Sequence, residues 1–322
     1  MTKDPWPSVL AVSPEEDGLR LDQWLVRRLP DLGRQGAARL IAEGAIRLTG
    51  SPSSPPAKST PMRAGEVVQL RLTAQMLARA RPRDAPPRPC QLADVTIVFQ
   101  DDYLTVVHKP AGRSTHPLTP DETDTVANHL AWADPRCLTA GGPAREGGLC
   151  HRLDRLTSGL LIAARTPAAH RHLRECFTTH RVSKGYLALV TGAPPDQGEE
   201  HAPLTSVRGQ RRIKVGRGQP ASTSFWVLER FGAAALLEVS TRFGRRHQVR
   251  AHLAHAGHPL VDDALYAGGS VAGWSGGLLL HANRLALPHP ADGKLTEFTA
   301  PLPPKQRQAL DQLAELSKGT ST

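Results

Sequence analysis

The amino-acid sequence predicts an α+β fold with a small N-terminal domain and a larger second domain. The chain has 322 residues, which is enough for one large domain and a small one. Leu21, Leu25 and Leu29 recur at the spacing of one helix face, whereas the apolar runs 95–99 and 160–164 have the length and composition of buried strands. Many strand-like runs with few helices agree with an α+β fold.

Shifts in composition divide the chain into five segments. We expect a mobile polar lead-in (1–14), a small domain (15–75), a basic proline-rich linker (76–92), the larger domain (93–304) and a C-terminal tail (305–322). In the small domain the leucine-spaced helix is followed by a second helix, which starts at Gly33-Arg34 and ends at Gly44 as a left-handed cap. Two strand-like runs, 45–50 and 65–72, complete the domain as a small hairpin.

The chain is basic, and its four cysteines lack metal-ligand spacing. Lys and Arg number 40 against 30 Asp and Glu, which gives a net charge of +10 and favours a phosphate-rich partner. The cysteines form no CxxC pair, so we expect reduced thiols rather than disulfides or a zinc site. The sequence shows neither a signal peptide nor an apolar run of about 18 residues, so we expect a soluble cytoplasmic protein without membrane contact.

A ten-residue block, His151 to Leu160, is the most unusual stretch of the chain. It reads HRLDRLTSGL and places Asp154 between two arginines, just before the apolar run 160–164. A carboxylate held in a loop before a buried strand is fixed in position and can still face a cleft. On the residues alone, a structural ion pair is the more common role for an Asp between arginines.

The whole block resembles the HRLD-x-x-TSG signature of the RluA/RluD-type pseudouridine synthases, which isomerise uridine in RNA. Three further stretches match the family: Lys109 to Gly112 (KPAG), Lys184 to Val190 (K-x-Y-x-A-x-V), and the segment 244–252 (GRRHQVRAH). The resemblance implies a catalytic domain with a central mixed, largely antiparallel sheet flanked by helices. It also implies an isomerase that acts on RNA, with large-subunit (23S) ribosomal RNA as the expected substrate and transfer RNA as the alternative.

The resemblance assigns three catalytic residues, namely Asp154, Tyr186 and Arg250. Asp154 would attack the ribose C1′ as a nucleophile or remove the C2′ proton as a base, and the sequence leaves both open. Arg250 would keep that carboxylate charged, and Tyr186, which is a core residue on spacing alone, would stack on the flipped base. The residues it implies for substrate binding are His151, Arg152, Thr157, Lys109, Arg245, His247, Gln248, Val249 and His281.

Residues 15–75 resemble an S4 RNA-binding domain, through the LD-x-x-L start, the LI-x-x-G-x-I middle and the late GE-V-V-x-L strand. The resemblance implies RNA contacts by Arg20, Arg34, Arg39 and Arg47, since such domains present positive charge to phosphates. A small helical domain with a solvated basic face is the alternative interpretation.

Two positions depart from the catalytic family's pattern. Phe243 stands where the family usually has Thr, and Asp262 replaces the usual Gly. If that Gly needs a positive φ, Asp262 strains the turn by on the order of 1 kcal/mol. A helix through the segment 244–252 would place Arg246 and Arg250 four residues apart on one face.

Isomerisation needs no redox cofactor, and we expect none. The sequence has neither a Rossmann glycine fingerprint nor a P-loop. The histidines 247, 252, 255 and 258 lack the His-Glu-x-x-His spacing, so no metal is expected either. Partners other than RNA are not expected, and the protein should be a monomer. A catalytically silent RNA-binding or ribosome assembly factor and an N-glycosidase, which would need a second carboxylate, are the competing functions.

Overall fold

The computed structural model describes residues 8–29, 31–49, 55–207 and 209–319. These residues fall into two compact units. The first comprises Met1–Arg88 with His116–Thr123 and Pro143–Arg145, and the second comprises Pro89–Thr115, Asp124–Gly142 and Glu146–Thr322.

The first unit is a three-stranded antiparallel sheet with three helices. In chain order its elements are β1 (Val9–Ala11), α1 (Leu21–Arg28), α2 (Arg34–Ala42), β2 (Ile46–Leu48), β3 (Val67–Leu70) and α3 (Ala74–Ala80). The strand order is β1-β3-β2. Leu21, Trp24 and Leu25 of α1 are fully buried in the core of this unit, as the leucine spacing predicts.

Close packing of α2 on α3 requires a glycine. A Cβ atom placed on Gly36 would lie 1.8 Å from the backbone oxygen of Ala80, so no larger residue fits without moving α3. Gly44 follows α2 with φ of +71°, which confirms the predicted left-handed cap.

The second unit contains a nine-stranded mixed sheet and a small hairpin. Its strands are β4 (Thr96–Gln100), β5 (Leu104–Lys109), β6 (Ser158–Ala164), β7 (Ser183–Thr191), β8 (Gln197–Glu200), the hairpin strands β9 (Leu204–Thr205) and β10 (Lys214–Val215), β11 (Thr223–Arg230), β12 (Ala234–Thr241), β13 (Leu280–Pro288) and β14 (Leu295–Thr299). The order in the large sheet is β4-β5-β6-β13-β7-β12-β11-β8, and β14 pairs with β13. Only the pairing of β6 with β13 is parallel among these described strands.

Four helices flank this sheet, so the α+β prediction is confirmed. They are α4 (Val126–Ala133), α5 (Pro167–Thr178), α6 (Gln248–His255) and α7 (Pro304–Gly319). Helix α5 begins as predicted, because the Thr166 side chain accepts a hydrogen bond from the Ala169 backbone N–H and Pro167 occupies the first turn. Its predicted apolar residues Ala169, Leu173 and Cys176 are buried.

Four expectations about the elements need correction. Residues 9–11 of the expected lead-in form β1, which pairs with β3, while residues 1–7 lie outside the described residues. The expected linker begins inside α3, whose Ala78 and Ala80 are buried. The expected tail, interpreted as a short helix with a frayed end, is the 16-residue α7, whose Leu310 and Leu313 lie in the core, and residues 320–322 lie outside the described residues. The run 95–99 is a strand at the sheet edge, where Thr96–Gln100 is exposed rather than buried.

Candidate active site

Asp154 lies in a loop that ends where β6 begins. The Thr157 backbone N–H donates to the Asp154 carbonyl oxygen at 3.1 Å and closes a turn. Ser158 then starts β6, which is buried along its whole length. The Asp154 side chain keeps 18% of its surface exposed, so the carboxylate lies just before a buried strand and still reaches solvent.

A second loop, formed by residues 109–115, holds the Asp154 loop on both sides. The Thr115 hydroxyl donates to the Leu153 carbonyl at 2.8 Å, and the Leu153 N–H donates to the same hydroxyl oxygen at 3.1 Å. On the other side, the Gly112 N–H donates to the Arg155 carbonyl at 2.7 Å, and the Arg155 Nε donates back to the Gly112 carbonyl at 2.7 Å. These bonds fix the backbone immediately before and after Asp154.

Lys109 belongs to this support and not to the substrate-binding surface. Its side chain is fully buried, and the ammonium donates to the carbonyl oxygens of Pro110, Arg113 and Arg155 at 3.0, 2.8 and 3.1 Å. Burial lowers the pKa of Lys109 to about 7, although the nearby Asp154 carboxylate opposes that shift. The expectation that Lys109 contacts a phosphate is therefore wrong in this conformation, because all three of its donors are used inside the protein.

Arg250 stands between two carboxylates. It lies on α6 and is 5% exposed, and its Nη1 is 3.8 Å from Asp154 Oδ2. Its Nε and Nη2 donate to the two oxygens of Asp263, each at 2.7 Å. Burial opposes the charge, yet the hydrogen bonds to Asp263 raise the pKa of Arg250 above its ordinary value. The guanidinium is thus held in a fixed fork on Asp263 and turns its remaining nitrogen toward Asp154.

Asp263 is a site residue that the sequence did not reveal. It is 1% exposed and also accepts the Leu265 backbone N–H at 3.2 Å. The sequence singles out its neighbour, Asp262, as a departure from a glycine. A buried aspartate thirteen residues after Arg250 has no spacing rule that marks it as a partner, because the pairing depends on the turn between them.

His247 is the second donor that faces Asp154. It caps α6 in the left-handed region, with φ of +53°, and its Nε2 lies 3.8 Å from Asp154 Oδ1. The Tyr266 hydroxyl accepts the Ile213 N–H at 3.0 Å, so its own proton is available for His247 Nδ1 at 3.1 Å. Burial lowers the pKa of His247, with Asp154 opposing the shift. The lowered pKa favours a neutral imidazole ring, whose Nδ1 shares a hydrogen bond with the Tyr266 hydroxyl.

A cleft of about 110 Å³ opens beside Asp154. The half-buried Tyr186 forms part of its wall, together with Val249 and Leu280. Burial raises the pKa of Tyr186 to about 12, so its hydroxyl stays protonated at neutral pH. The predicted substrate residues that line the cleft are Arg152, Thr157, Arg245, His247, Gln248 and Val249. The cleft therefore brings the predicted carboxylate, aromatic ring and most of the predicted contacts together.

Gln248 and Arg245 line the cleft and also make contacts that hold its wall in place. Gln248 is buried, and its amide donates to the Ser222 carbonyl at 2.7 Å while its oxygen accepts the Arg245 N–H at 2.9 Å. The guanidinium of Arg245 lies 5.5 Å above the Phe243 ring, so the Phe that replaces the family's Thr supports a cation. Helix α6 starts at Gln248, so Arg246 precedes it and donates to the Arg211 carbonyl at 3.1 Å, contrary to the predicted shared face with Arg250.

His151 and His281 lie outside the cleft lining, which corrects their predicted role as substrate contacts. His281 is fully buried, with Nδ1 2.9 Å from the Ser158 hydroxyl and Nε2 3.2 Å from the Ala300 carbonyl. His151 Nε2 accepts the Ile162 N–H at 3.1 Å, and its ring stacks on Phe177. Burial lowers the pKa of His151 to about 3 and that of His281 to about 4, so both are neutral anchors of β6.

The histidines considered as metal ligands serve other contacts. His252 lies 2.9 Å from both the Thr223 hydroxyl and the Ala202 carbonyl, and His255 pairs with Glu200 at 2.6 Å. In the described ranges, no three His, Cys, Asp or Glu side chains are arranged to hold a metal ion. Among the helices that the structure describes, each is too short or too polar to cross a bilayer.

The four arginines predicted for the small domain differ in their surroundings. Arg20 is ion-paired with Asp22 at 2.9 Å, and Arg47 is exposed on β2. Arg34 and Arg39 lie on α2 and line a groove of the first unit. Arg20 is therefore held in an ion pair, whereas Arg34, Arg39 and Arg47 are exposed.

The chain is similar to RNA pseudouridine synthases over nearly its whole length. Residues 103–255 match the family described as RNA pseudouridylate synthase. An uncharacterized RNA pseudouridine synthase of Chloroflexus aurantiacus is 37% identical, over 95% of this chain and 94% of the relative. Ribosomal large subunit pseudouridine synthase D of Xanthomonas campestris pv. campestris is 32% identical, over 95% of this chain and 92% of the relative.

The fold is also similar to that of a solved structure from the same family. Human RNA pseudouridylate synthase domain containing 1 has a TM-score of 0.53 and 26% sequence identity, and the match covers 72% of this chain and 97% of the human chain.

Proposed function

The chain belongs to the RNA pseudouridine synthases, which are isomerases, and on this premise we propose that Asp154 is its catalytic residue and large-subunit ribosomal RNA its substrate. The observation that carries the proposal is the geometry of the Asp154 carboxylate. It faces a cleft walled by Tyr186, with Arg250 and His247 each 3.8 Å away.

The reaction breaks the N1–C1′ bond of uridine and joins C5 to C1′. In one route Asp154 attacks C1′, uracil leaves with the electrons of the N1–C1′ bond, and the Asp154–C1′ bond breaks when C5 bonds to C1′. In the other route Asp154 removes the C2′ proton, uracil leaves with the electrons of the N1–C1′ bond and a C1′=C2′ double bond forms, and the proton returns to C2′ when C5 bonds to C1′. In both routes the base turns over, C5 bonds to C1′, the C5 proton departs and N1 gains a proton. The product is an isomer of the substrate, so the reaction consumes no redox equivalent and we propose that no cofactor takes part.

Arg250 and His247 orient the Asp154 carboxylate in this proposal, each from 3.8 Å. Asp263 holds the Arg250 guanidinium through two hydrogen bonds of 2.7 Å, so it acts as a positioning residue through Arg250. Because both oxygens of Asp263 are engaged with Arg250, Asp263 is not the free second carboxylate that an N-glycosidase would need.

Tyr186 stacks on the uracil ring once the nucleotide has left the RNA stack. Enzymes that act on a base extrude it into a pocket and hold it against an aromatic or apolar wall. In the later step the Tyr186 hydroxyl gives its proton to N1 and takes up the C5 proton, so the phenol is regenerated. Arg152 and Arg245, at the cleft, are suited to the phosphates that flank the extruded nucleotide.

Support for the ribosomal substrate comes from relatives named ribosomal large subunit pseudouridine synthase D, with 32 to 34% identity. We propose further that the protein works in the cytoplasm as a monomer, without a protein partner, and that residues 15–75 act as an S4-like RNA-binding domain. Transfer RNA is the alternative substrate.

RNA labelled with tritium at uridine C5 tests the proposed function. The wild-type protein should release tritium into water from protein-free large-subunit RNA faster than from transfer RNA, since C5 loses its hydrogen only on isomerisation. Labelled free uracil would identify a glycosidase instead. No release from either RNA would identify a silent binding factor. A map of pseudouridine in cells with and without the gene then locates the target.

A further inference from the structure

Thr241 lines the active-site cleft, but none of the proposed reaction steps uses it. It is the last residue of β12, on which Val239 pairs with Tyr186 of β7. Because alternate residues of a strand point to the same face, the side chains of Thr241 and Tyr186 lie on one face of the sheet. Both residues line the cleft beside Asp154, so β12 brings a hydroxyl group to the wall that carries the phenol.

The Thr241 hydroxyl is buried in a way that packing alone does not require. The residue is 3% exposed, and its hydroxyl oxygen makes no hydrogen bond of ordinary geometry to any residue in the described ranges. Valine has nearly the same shape and would fill this position without burying a polar group, which is unfavourable. A buried hydroxyl of this kind in a cleft wall therefore points to a contact made during the reaction.

The threonine directly across the sheet does not supply this contact. Thr223 on β11 pairs with Thr241 in the strand register. The Thr223 hydroxyl accepts from Gln248 Nε2 at 3.1 Å and lies 2.9 Å from His252 Nδ1. Thr223 is therefore engaged with helix α6, away from Thr241.

The Tyr186 phenol is the neighbouring group that the Thr241 hydroxyl influences. Burial raises the pKa of Tyr186 to about 12, the Thr241 hydroxyl acts in the opposite direction, and the Asp154 carboxylate adds to the rise. A hydroxyl that lowers the pKa of a phenol does so by stabilising the phenolate, because a donated hydrogen bond favours the charged form. Tyr186 is a phenolate between giving its proton to N1 and taking up the C5 proton.

We propose that Thr241 is a positioning residue that donates a hydrogen bond to the Tyr186 oxygen while the phenol is without its proton. The Thr241 hydroxyl keeps its own proton throughout, so the proton balance of the reaction is unchanged. A hydrogen bond to a charged oxygen is shorter and stronger than one to a neutral phenol, which agrees with a Thr241 hydroxyl that is not tightly bonded while Tyr186 is protonated. This inference rests on the proposed function for the two proton transfers at Tyr186.

Thr241→Val and Thr241→Ser in the full-length protein test the proposal through single-turnover tritium release. Valine lacks the hydroxyl, so release should slow about tenfold, the scale of a lost hydrogen bond to a charged group, while the Kd for RNA stays within about twofold of wild type. Serine restores the hydroxyl and should recover release to within about threefold. The matched control is Ser240→Ala, which removes a hydroxyl from the opposite face of β12 and should release at the wild-type rate.

The same substitution in a Tyr186→Phe background separates action through Tyr186 from other roles. Phenylalanine has no oxygen to accept the bond, so adding Thr241→Val to Tyr186→Phe should change release by less than about twofold. A further tenfold loss in the double variant would overturn the proposal, because Thr241 would then act on the uracil or on the fold. Release by Thr241→Val at the wild-type rate would overturn it as well.

A titration of Tyr186 that needs no turnover distinguishes a failure of this inference from a failure of the proposed function. The chain has three tyrosines, so a protein made with ring-fluorinated tyrosine gives three fluorine NMR signals, and the one absent from Tyr186→Phe belongs to residue 186. Ring fluorine also brings the phenol titration to lower pH. Thr241→Val should raise the midpoint of this titration, and Thr241→Ser should leave it in place.

The two failures give different results. A raised midpoint in Thr241→Val, in a protein whose wild type releases no tritium, would refute the proposed function and leave the contact between Thr241 and Tyr186 standing. An unchanged midpoint in a folded Thr241→Val protein would overturn the role of Thr241, whatever the rate of tritium release.

Discussion

Arg250 is the residue on which the geometry of the active site depends. One guanidinium is bound by Asp263 on one side and approaches Asp154 on the other. The ring of Tyr266 lies 5.2 Å below it and gives the cation a third favourable contact. Because Arg250 is nearly fully buried, it cannot be screened by solvent, and each of these contacts matters more than it would at the surface.

Asp263→Asn should slow isomerisation, because Arg250 loses the fork that orients it toward Asp154. We expect the rate of tritium release at saturating RNA to fall by about two orders of magnitude, and the free energy of unfolding to fall by about 3 kcal/mol, since a buried ion pair is broken. Urea unfolding and single-turnover kinetics measure the two effects.

The adjacent Asp262→Asn is the matched control. Asp262 has φ of +59°, a region that Asn tolerates, and its carboxylate accepts from the Ser270 hydroxyl at 2.8 Å, away from Arg250. The Asp262→Asn variant should keep the rate of tritium release and the free energy of unfolding close to the wild-type values. Equal effects of the two substitutions would refute the positioning role of Asp263.

Tyr186→Phe separates the two roles proposed for this side chain. The phenyl ring can still stack on uracil, whereas the hydroxyl that assists departure of the C5 proton is lost. We expect RNA affinity within about threefold of wild type and a rate of tritium release reduced about a hundredfold, the scale of a lost acid–base group. A wild-type rate in this variant would assign Tyr186 to the pocket wall alone.

The strand β6 and the loop before it form the element that presents Asp154. Thr115, Gly112 and Lys109 tie the loop at its backbone, and His281 on β13 binds Ser158 at the start of β6. The family pattern located these residues correctly in the sequence. It could not tell a residue that touches RNA from one that supports the loop, because that distinction depends on burial, and burial is set by tertiary packing.

The stability of this element should depend on pH through His281. Burial holds the pKa of His281 at about 4 in the folded protein, whereas the unfolded chain titrates near the ordinary value of 6.5. Between these values the unfolded state binds the extra proton, so stability is lost as the pH falls from about 6.5 to about 4 and changes no further below that. The full effect is on the order of 3 kcal/mol.

Urea unfolding of the wild type and of His281→Gln from pH 7 to pH 4 measures this contribution. The variant should be less stable at pH 7, because it loses contacts to Ser158 and Ala300, and its stability should decline less steeply in the acid range. Parallel curves for the two proteins would show that His281 does not carry the acid sensitivity.

Short and irregular elements were the ones that the sequence did not predict. Strand β1 has three residues, too few for an alternating pattern to stand out. Helix α3 lies beside a run of prolines and arginines that resembles a linker, and what stabilises it is burial of Ala80 against α2. The leucine-spaced α1 and the Thr-Pro start of α5 were predicted because their signals are local.

At the scale of the whole molecule, the sequence predicted the α+β class and the gathering of Asp154, Tyr186 and Arg250. These residues are separated by 32 and 64 positions in the chain. Only the match to a known family pattern predicts from the sequence that these three residues share a site, because no periodicity links a loop, a strand and a helix. Asp263 and Tyr266 were missed because their roles arise from contacts with Arg250 and His247 across a turn.

The rate of tritium release by Asp154→Asn tests the central claim most directly. Asparagine keeps the size of the side chain and removes its negative charge, so it can neither attack C1′ nor accept the C2′ proton. With C5-tritiated large-subunit RNA in single turnover, we expect release to fall at least about a thousandfold, while the Kd for RNA stays within about threefold of wild type. Release at the wild-type rate from a folded, RNA-binding Asp154→Asn protein would contradict the account.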